Sequence, residues 1–443
     1  MIAGMSPSRN RRPKTAELLK AWESLDAGDV PGALRELRLG AEAAPLGEAA
    51  LVVERAAGTA GFDDLREAAA ALAANPDGGQ ELYDFGYACV ERGLPYLAVP
   101  ALREVLRQEP GALVVVRELV TAYERQGRHR EAVEVLTRHE SGFADWPDRY
   151  LLVHNAVMAG DLALANRQHA LLPDPADPQW LPARDRQRRM LERAANAASV
   201  SPLDGSDLRG WQFVIGGTIL GTLAPFGFRA GMTGRHAWVQ DSHDQCLHGL
   251  LRLAALLGAA GIRPRSVSLL PDRGSQILGL AAADVLNLPA EPFAPGREDT
   301  VVIAYDLNEL AEHDAGPQVL ESLYERVPGQ VLHEHASSWT DAPAVTADSV
   351  TLLHQSVVPP WGRRLRRRDD GEVEREPADD RPAARIADEI VAADPSPGEG
   401  DGETPADPTD RFTDFVAAVR GSWLRGERAH LSSSGPVPSN KFM

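Results

Sequence analysis

The chain has 443 residues, of which 43 % are hydrophobic and 25 % charged, as in ordinary folded proteins. This length exceeds what one hydrophobic core usually organises, so two or three folded units are expected. The formal charge of −18 opposes nucleic-acid binding and anionic-membrane binding, which both need a basic surface. Residues 369–411 hold fifteen acidic and four basic residues, so most of the excess acid lies in one segment.

The two cysteines, Cys89 and Cys246, lie far apart in sequence and indicate no disulfide framework. The first residues include basic side chains, but no apolar stretch of a secretion signal follows them. The longest apolar stretches elsewhere fall short of the roughly 20 residues that cross a bilayer. We therefore expect a cytoplasmic protein that neither spans nor binds a membrane.

Glycines recur at a nearly constant spacing in the first two-fifths of the chain, each between two apolar helical stretches. They are Gly28, Gly61, Gly93, Gly127 and Gly160. A turn between two helices needs a residue that accepts positive φ, which glycine does without steric cost. Small residues follow three of these glycines by five positions, and leucines follow them by nine. These residues are Ala33, Ala98, Ala132, Leu37, Leu102 and Leu136. The period predicts stacked helix pairs.

This pattern resembles the tetratricopeptide-repeat family over residues 14–180, most clearly in residues 81–110. The resemblance implies an all-α solenoid over residues 14–200, closed by a charged helix at 181–199, with a groove that binds a protein or peptide partner. Basic residues cluster in the third and fourth repeats and could bind an acidic ligand. The predicted partner-binding residues are Arg92, Arg103, Arg125 and Arg128. The alternative for these arginines is an ordinary solvated surface.

A polar stretch at residues 201–210 marks a boundary, after which the pattern changes. Residues 211–240 predict a hairpin or meander. Apolar strands at 266–270, 300–305, 331–335 and 350–358 then alternate with helices at 246–261, 276–287 and 317–326. This alternation predicts an α/β domain with a mostly parallel sheet over residues 201–366.

The order of these elements resembles a type I phosphoribosyltransferase domain. In that family, a loop after one strand binds pyrophosphate, and an acidic loop after the next strand holds the ribose and its phosphate. The resemblance implies a phosphate or ligand site formed by Asp272, Arg273, Gly274, Ser275 and Asp306. Leu307 stands where the family has a second acid, and no threonine-rich cradle follows it. We therefore assign no catalytic residue.

Potential metal ligands cluster between residues 236 and 248. They are His236, Asp241, His243, Asp244, Cys246 and His248. These side-chain types can hold zinc or iron, but the paired spacing of structural zinc sites is missing. Helix capping and packing explain them better, and the same holds for the two histidines His333 and His335 on one strand face. We predict neither a metal nor a cofactor.

The acidic composition of residues 367–410 predicts a disordered linker. Residues 1–13 and 429–443 are also predicted to be disordered. Helical periodicity returns over residues 411–428 and predicts a short amphipathic helix. Such a helix is suited to docking in the solenoid groove, either in cis or in another copy.

We therefore expect a protein–protein interaction scaffold rather than an enzyme, with an α/β domain that binds a ligand or a partner. A phosphate-handling enzyme that uses the loop 272–275 is the alternative, and a metalloenzyme built on residues 236–248 is a third. The loop at 306–316 discriminates the first two. A backbone phosphate nest there would favour the enzyme, and filling by side chains would oppose it.

Overall fold

The computed structural model describes residues 12–367, 373–395, 400–430 and 433–439. The predicted disorder of residues 1–11 and 368–372 therefore falls outside the described residues. The chain folds as two compact units, Met1–Asp174 and Pro175–Met443. The first is helical and the second contains a parallel sheet, which confirms the predicted order of a helical region and an α/β domain. Within the described ranges, no helix is long and apolar enough to cross a membrane.

The α-helices of the first unit pack against their neighbours in chain order, two to a pair. Their bounds are α1 Ala16–Asp26, α2 Val30–Gly40, α3 Leu46–Ala60, α4 Asp63–Ala74, α5 Gly79–Glu91, α6 Pro95–Gln108, α7 Leu113–Glu124, α8 His129–His139, α9 Tyr150–Met158 and α10 Leu162–Leu171.

The five periodic glycines lie between the two helices of each pair and have φ between 67° and 84°. This confirms the positive φ predicted from their spacing. The periodic alanines and leucines are almost completely buried, as predicted. Helices α5 and α6 come especially close, because a Cβ on Gly86 would lie only 2.7 Å from Leu102 Cγ. The periodic glycines therefore form the turns within the helix pairs, and the periodic alanines and leucines form the contacts between helices.

The array of helix pairs curves so that its first pair contacts later ones. The Tyr96 hydroxyl at the start of α6 donates a hydrogen bond to the Leu34 carbonyl of α2, at 3.4 Å. Arg128, directly before α8, forms an ion pair with Glu42, directly after α2. This curvature creates a concave region between the first and third helix pairs.

The second unit contains eight α-helices and nine strands within its described residues. The helices are α11 Leu181–Ala197, α12 Leu208–Gly216, α13 His243–Ala260, α14 Arg273–Leu286, α15 Leu307–Glu312, α16 Gly316–Tyr324, α17 Ala383–Val391 and α18 Thr409–Val419. The strands are β1 Ile219–Leu220, β2 His236–Gln240, β3 Ser266–Leu269, β4 Ala290–Pro292, β5 Thr300–Ala304, β6 Val331–Ser338, β7 Ser349–Val358, β8 Arg364–Arg367 and β9 Val373–Glu376.

Helices α11 and α12 differ from expectation. The predicted closing helix of the solenoid, α11, packs on α12 and α18 and so belongs to the second unit. The predicted hairpin beginning at residue 211 is wrong, because α12 occupies that position. Asp207 caps α12 by accepting a hydrogen bond from the Gly210 N–H at 2.9 Å, and Gly217 ends it with φ of 76°. Its residues are apolar on nearly all sides, and such a run does not distinguish a strand from a buried helix.

The main sheet has the strand order β1-β7-β6-β5-β3-β4, and β2 also pairs with β7. All of its pairs are parallel. The order reverses between β3 and β5, because the chain leaves β3 towards β4 on one side and leaves β5 towards β6 on the other. Ligands of open parallel sheets bind outside the carboxyl ends of the strands at such a reversal. The segments after Leu269 and Ala304 are therefore the expected ligand region.

The C-terminal part of the chain packs on this domain rather than remaining free. Helix α17 lies within the range predicted to be disordered, and its Ile386 and Ile390 are buried against α13 and α14. Pro438, in the predicted disordered C-terminus, accepts a hydrogen bond from the Thr233 hydroxyl at 3.2 Å. The disorder prediction is wrong for these described segments, because average composition conceals individual apolar contacts and ion pairs.

Helix α18 covers the first half of the helix predicted over residues 411–428, and the chain leaves the helix after Val419. Its apolar residues Phe412, Phe415, Val416 and Val419 are buried, and the helix packs on α13 and α11. The apolar face of α18 is therefore buried within the second unit.

A buried ion pair joins the C-terminal segment to the sheet. Asp348, directly before β7, accepts hydrogen bonds from Arg428 Nε and Nη2 at 3.0 and 2.8 Å. Arg326 Nη2 donates to the other oxygen of Asp348 at 2.6 Å. The side chains of Asp348 and Arg428 are 0 % exposed. Within the described residues, the charge of Asp348 is balanced by two arginines from other parts of the chain, Arg326 and Arg428.

We predict that Arg428→Met lowers the free energy of unfolding by about 3 kcal/mol or more, because removing one partner of a buried pair leaves charge uncompensated. Urea denaturation measures this change. The matched control is Arg425→Met, whose pair with Glu192 is exposed and is worth at most about 1 kcal/mol. Equal effects of the two substitutions would contradict the prediction.

Candidate functional site

Two acids lie at the carboxyl ends of the strands where the sheet order reverses. Asp272 begins α14, and its Oδ1 accepts a hydrogen bond from the Ser275 N–H at 2.8 Å. Asp306 begins α15, and its Oδ1 accepts from the Asn308 N–H at 2.8 Å. Each of the two residues is only 6 % exposed. The structure thus brings together the two acids that the sequence analysis singled out.

Two further acids, which the sequence analysis missed, complete this group. Glu334 lies on β6 with 0 % exposure, and its Oε1 accepts a hydrogen bond from the Leu307 N–H at 2.8 Å. Glu309 lies on α15, and its Oε2 stands 3.0 Å from where a Cβ of Gly274 would be. The available signal for Glu334 was a carboxylate within a fully buried strand. We call Asp272, Asp306, Glu309 and Glu334 the acidic crevice.

Three acids of the crevice, Asp306, Glu309 and Glu334, have raised pKa values. Burial, with added repulsion from Asp272 and Asp341, raises the pKa of Asp306 to about 6. The carboxyl of Glu309 is partly enclosed beside Asp306, and its pKa rises to about 7. Burial and the charge of Asp306 raise the pKa of Glu334 to about 8. The ionised forms are disfavoured because, in the described part of the chain, no lysine or arginine pairs with these acids.

The crevice also contains buried oxygen atoms that make no hydrogen bond within the described residues. These are Asp272 Oδ2 and Glu334 Oε2. An unsatisfied buried polar atom costs about 1–3 kcal/mol, so such atoms require an explanation. His354 on β7 lies nearby, with its Nε2 3.7 Å from Asp306 Oδ2. Burial lowers the pKa of His354 to about 4, so its ring is neutral at pH 7 and cannot balance the acids.

The remaining predicted ligand residues have structural contacts. Ser275 is fully buried, and its hydroxyl accepts a hydrogen bond from the Tyr305 N–H at 3.0 Å. Arg273 donates to the carbonyls of Asp379 and Arg381 at 2.8 and 2.7 Å. The discriminating loop at residues 306–316 contains α15, with buried leucines on its inner side. Side chains fill it, which opposes a phosphate nest.

A second polar cluster surrounds Asp241 at the start of α13. The carboxylate accepts hydrogen bonds from the Ser242 N–H at 2.8 Å and the Tyr305 hydroxyl at 2.9 Å. His335 Nε2 and Cys246 Sγ lie 3.0 and 3.4 Å from its Oδ2. These residues combine part of the predicted metal cluster with one histidine of the 333–335 pair, and their potential ligand atoms lie within 4.8 Å of one another.

Hydrogen bonds satisfy the Asp241 carboxylate, whereas His335 Nδ1 makes no hydrogen bond within the described residues. Burial opposes ionisation of Asp241, but the contact with His335 and the hydrogen bonds from Ser242 and Tyr305 hold the pKa of the carboxyl below its usual value. Burial raises the pKa of the Cys246 thiol well above its usual value, which disfavours the thiolate that binds metals. This carboxylate is satisfied, whereas those of the acidic crevice are not.

The first unit contains a groove of about 1060 Å³. Its lining residues come from the start of the chain, the turns after α2 and α4, and helices α3 and α6. They are Arg12, Lys14, Glu42, Ala44, Pro45, Leu46, Gly47, Glu48, Leu51, Ala73, Pro76, Asp77, Pro100, Arg103, Glu104 and Arg107. The lining is thus partly apolar, with both signs of charge at its sides.

Most acids of the groove already have partners. Glu104 pairs with Arg107 at 2.6 Å, and Glu42 pairs with Arg128. Glu48 accepts hydrogen bonds from the backbone N–H groups of residues 14 and 15 at 2.7 and 2.9 Å. Arg103, in contrast, donates to the neutral Tyr123 hydroxyl at 2.7 Å and forms no ion pair within the described residues. The charge that remains available in the groove includes that of Arg103.

Only Arg103 of the four predicted partner-binding arginines lines the groove. Arg92 pairs with Asp64 at 2.8 Å. Arg125 donates to the Val90 carbonyl, and Arg128 pairs with Glu131 at 2.7 Å as well as with Glu42. The contacts of Arg92 and Arg125 join different helices of the array, and the pair of Arg128 with Glu42 joins the fourth helix pair to the first.

No protein-family model matches the chain, and no curated protein matches it in sequence. The class of protein is therefore described from its fold and its two candidate sites. It is a two-unit protein with a grooved helical array and an α/β domain whose parallel sheet ends in an acidic crevice.

We predict that Glu334→Gln changes how stability depends on pH. The folded pKa of Glu334, about 8, lies above its ordinary value of 4.5, so the native state holds a proton that the unfolded chain has released between these values. Wild-type stability should therefore fall as pH rises through this window, and the variant should lose this contribution. Urea unfolding between roughly pH 5 and pH 8 measures the difference.

The matched control for this experiment is Glu321→Gln on α16, because Glu321 is exposed. It should keep the wild-type pH dependence. A Glu334→Gln variant with the wild-type pH dependence would contradict the assignment.

Proposed function

We propose that this chain is a partner-binding protein whose helix pairs form a tetratricopeptide-like solenoid that holds a peptide segment of another protein. The observation that carries the proposal is the groove between the first and third helix pairs. Its volume of about 1060 Å³ is at the upper end of ordinary ligand sites, which span about 300–1,000 Å³. The regular glycine period supports the repeat assignment, since stacked repeats of this kind build concave binding surfaces.

The lining of the groove indicates the chemistry of the peptide. Pro45, Leu46, Leu51 and Pro100 offer apolar contacts. Within the part of the chain that the structure describes, the Arg103 guanidinium makes a side-chain hydrogen bond to the neutral Tyr123 hydroxyl and no ion pair. A guanidinium binds a carboxylate in a bidentate and charge-assisted manner. We therefore infer a peptide that combines an acidic residue with apolar side chains.

The alternative, a phosphate-handling enzyme, has less support. Helix α15 fills the place of the phosphate cradle, and the acids around Asp272 would repel a phosphate. Arg273 is engaged with backbone carbonyls and does not offset this repulsion. The crevice chemistry favours a cationic ligand over an anionic one.

We predict that a displayed library of random twelve-residue peptides, screened against the full chain, yields binders that combine Asp or Glu with Leu or Phe. Arg103→Glu should weaken a selected fluorescein-labelled peptide by at least about tenfold, because an attractive charge contact becomes repulsive. Fluorescence anisotropy measures the dissociation constants.

Arg138→Glu is the matched control, since Arg138 is exposed on α8 and does not line the groove. It makes the same charge change and should leave the affinity nearly unchanged. The proposal fails if no acidic–apolar peptides are enriched, or if both substitutions weaken binding equally.

A further inference from the structure

Buried carboxylates in the second unit are compensated in two ways. Asp348 has two arginines, and Asp407 pairs with Arg209 at 2.8 Å and with Arg252 at 2.6 Å. Asp241 has four hydrogen-bonding neighbours instead. Neither kind of compensation exists in the acidic crevice within the described residues, although Asp272, Asp306 and Glu334 are at least as buried as Asp407.

Helix capping explains the positions of Asp272 and Asp306 but not their charge. Each uses one oxygen, Oδ1, to accept a backbone N–H at the start of a helix. Asparagine caps helices about as well and would not repel its neighbours. Two aspartates beside Glu334 and Glu309 therefore lower the stability of the fold, and their capping contacts do not offset this loss. A second function must use the other oxygen of each carboxylate.

We propose that the acidic crevice binds a divalent cation that prefers oxygen ligands, Mg²⁺ or Mn²⁺, through Asp272 and Asp306. The cation supplies the positive charge that no lysine or arginine of the described residues provides at this place. This inference goes beyond peptide binding by the helical array and does not depend on it.

The oxygen donors of the crevice are of the type that a hard cation prefers. Capping leaves Asp272 Oδ2 and Asp306 Oδ2 for the cation, and Asp272 Oδ2 makes no hydrogen bond within the described residues. Mg²⁺ usually binds one or two carboxylates and keeps several waters, so it does not require three protein ligands in mutual contact. Glu334 Oε2, which is also unpaired, can accept a hydrogen bond from such a water. Glu309 stands at the exposed rim, where a ligand would enter.

The position of the crevice in the fold is a separate argument. Asp272 and Asp306 follow the two strands between which the sheet order reverses, and Glu334 lies on the next strand along the sheet. Open parallel sheets bind their ligands at this point. The unpaired oxygens and the reversal thus indicate the same place.

The test uses the full chain, stripped of metal with a chelator and then dialysed. Mn²⁺ is added, and its free fraction is followed by electron paramagnetic resonance. We expect saturable binding of one Mn²⁺ per chain that Mg²⁺ displaces. Asp306→Asn should weaken Mn²⁺ binding at least about tenfold, since it removes a direct carboxylate ligand.

Thermal unfolding gives a second readout that a merely structural role would not produce. In metal-free buffer, Asp306→Asn should raise the melting temperature, because the amide still caps α15 and the repulsion is relieved. Mn²⁺ should raise the melting temperature of the wild type and not that of the variant. Glu334→Gln tests the same site from another element if Asp306→Asn fails to fold, and it should also weaken Mn²⁺ binding.

Asp161→Asn is the matched control, because Asp161 caps α10 by the same kind of Asp-to-backbone contact, at 2.8 Å, and is not a member of the acidic crevice. It should bind Mn²⁺ as the wild type does. The inference is overturned if no saturable Mn²⁺ binding occurs, or if Asp306→Asn and Glu334→Gln both bind normally. It is also overturned if Cys246→Ser abolishes binding while Asp306→Asn does not, since the ion would then lie in the Asp241 cluster.

Discussion

A carboxylate that is buried in the α/β unit must find positive charge or several hydrogen-bond donors, and much of the second unit is organised by this requirement. Asp348 pairs with Arg428 and so holds the segment around residue 428 on the sheet. Asp407 pairs with Arg209 on α12 and with Arg252 on α13. Losing either partner would leave a charge in a medium that stabilises it poorly. Ion pairs between residues far apart in sequence thus hold the C-terminal segment on the domain.

The acidic crevice does not follow this rule, and its place in the fold suggests a reason. Parallel strands end at one edge of the sheet, so residues that follow β3 and β5 meet there together with the side chains of β6. Proteins keep uncompensated groups of this kind where a ligand completes them. The crevice therefore differs physically from the Asp241 cluster, although both contain buried carboxylates near the same strand ends.

The regular parts of the fold follow from local patterns and were predictable. The glycine period indicated helix pairs and positive φ, and apolar runs indicated the central strands β3, β5, β6 and β7. Asp272 and Asp306 were predictable as well, because each directly follows such a strand. Local pattern suffices where the determining contacts lie within one repeat or one strand.

Features that depend on distant contacts were not predictable. Helix α17 is stabilised by burial of Ile386 and Ile390 on α14, which the acidic composition around them conceals. Glu334 stands between two histidines on a strand, and only the folded sheet shows that its face meets Asp306. The groove was not predictable either, because it depends on the curvature of the array, in which Arg128 contacts Glu42.

The central claim is that the acidic crevice binds a divalent cation through Asp272 and Asp306, and direct measurement of binding tests it. Mg²⁺ is added to the metal-free wild-type chain and to the Asp306→Asn variant, and titration calorimetry gives the stoichiometry and affinity of each. The account predicts one saturable Mg²⁺ site per wild-type chain and at least about tenfold weaker binding by Asp306→Asn. No saturable binding, or equal affinity of the two proteins, would contradict it.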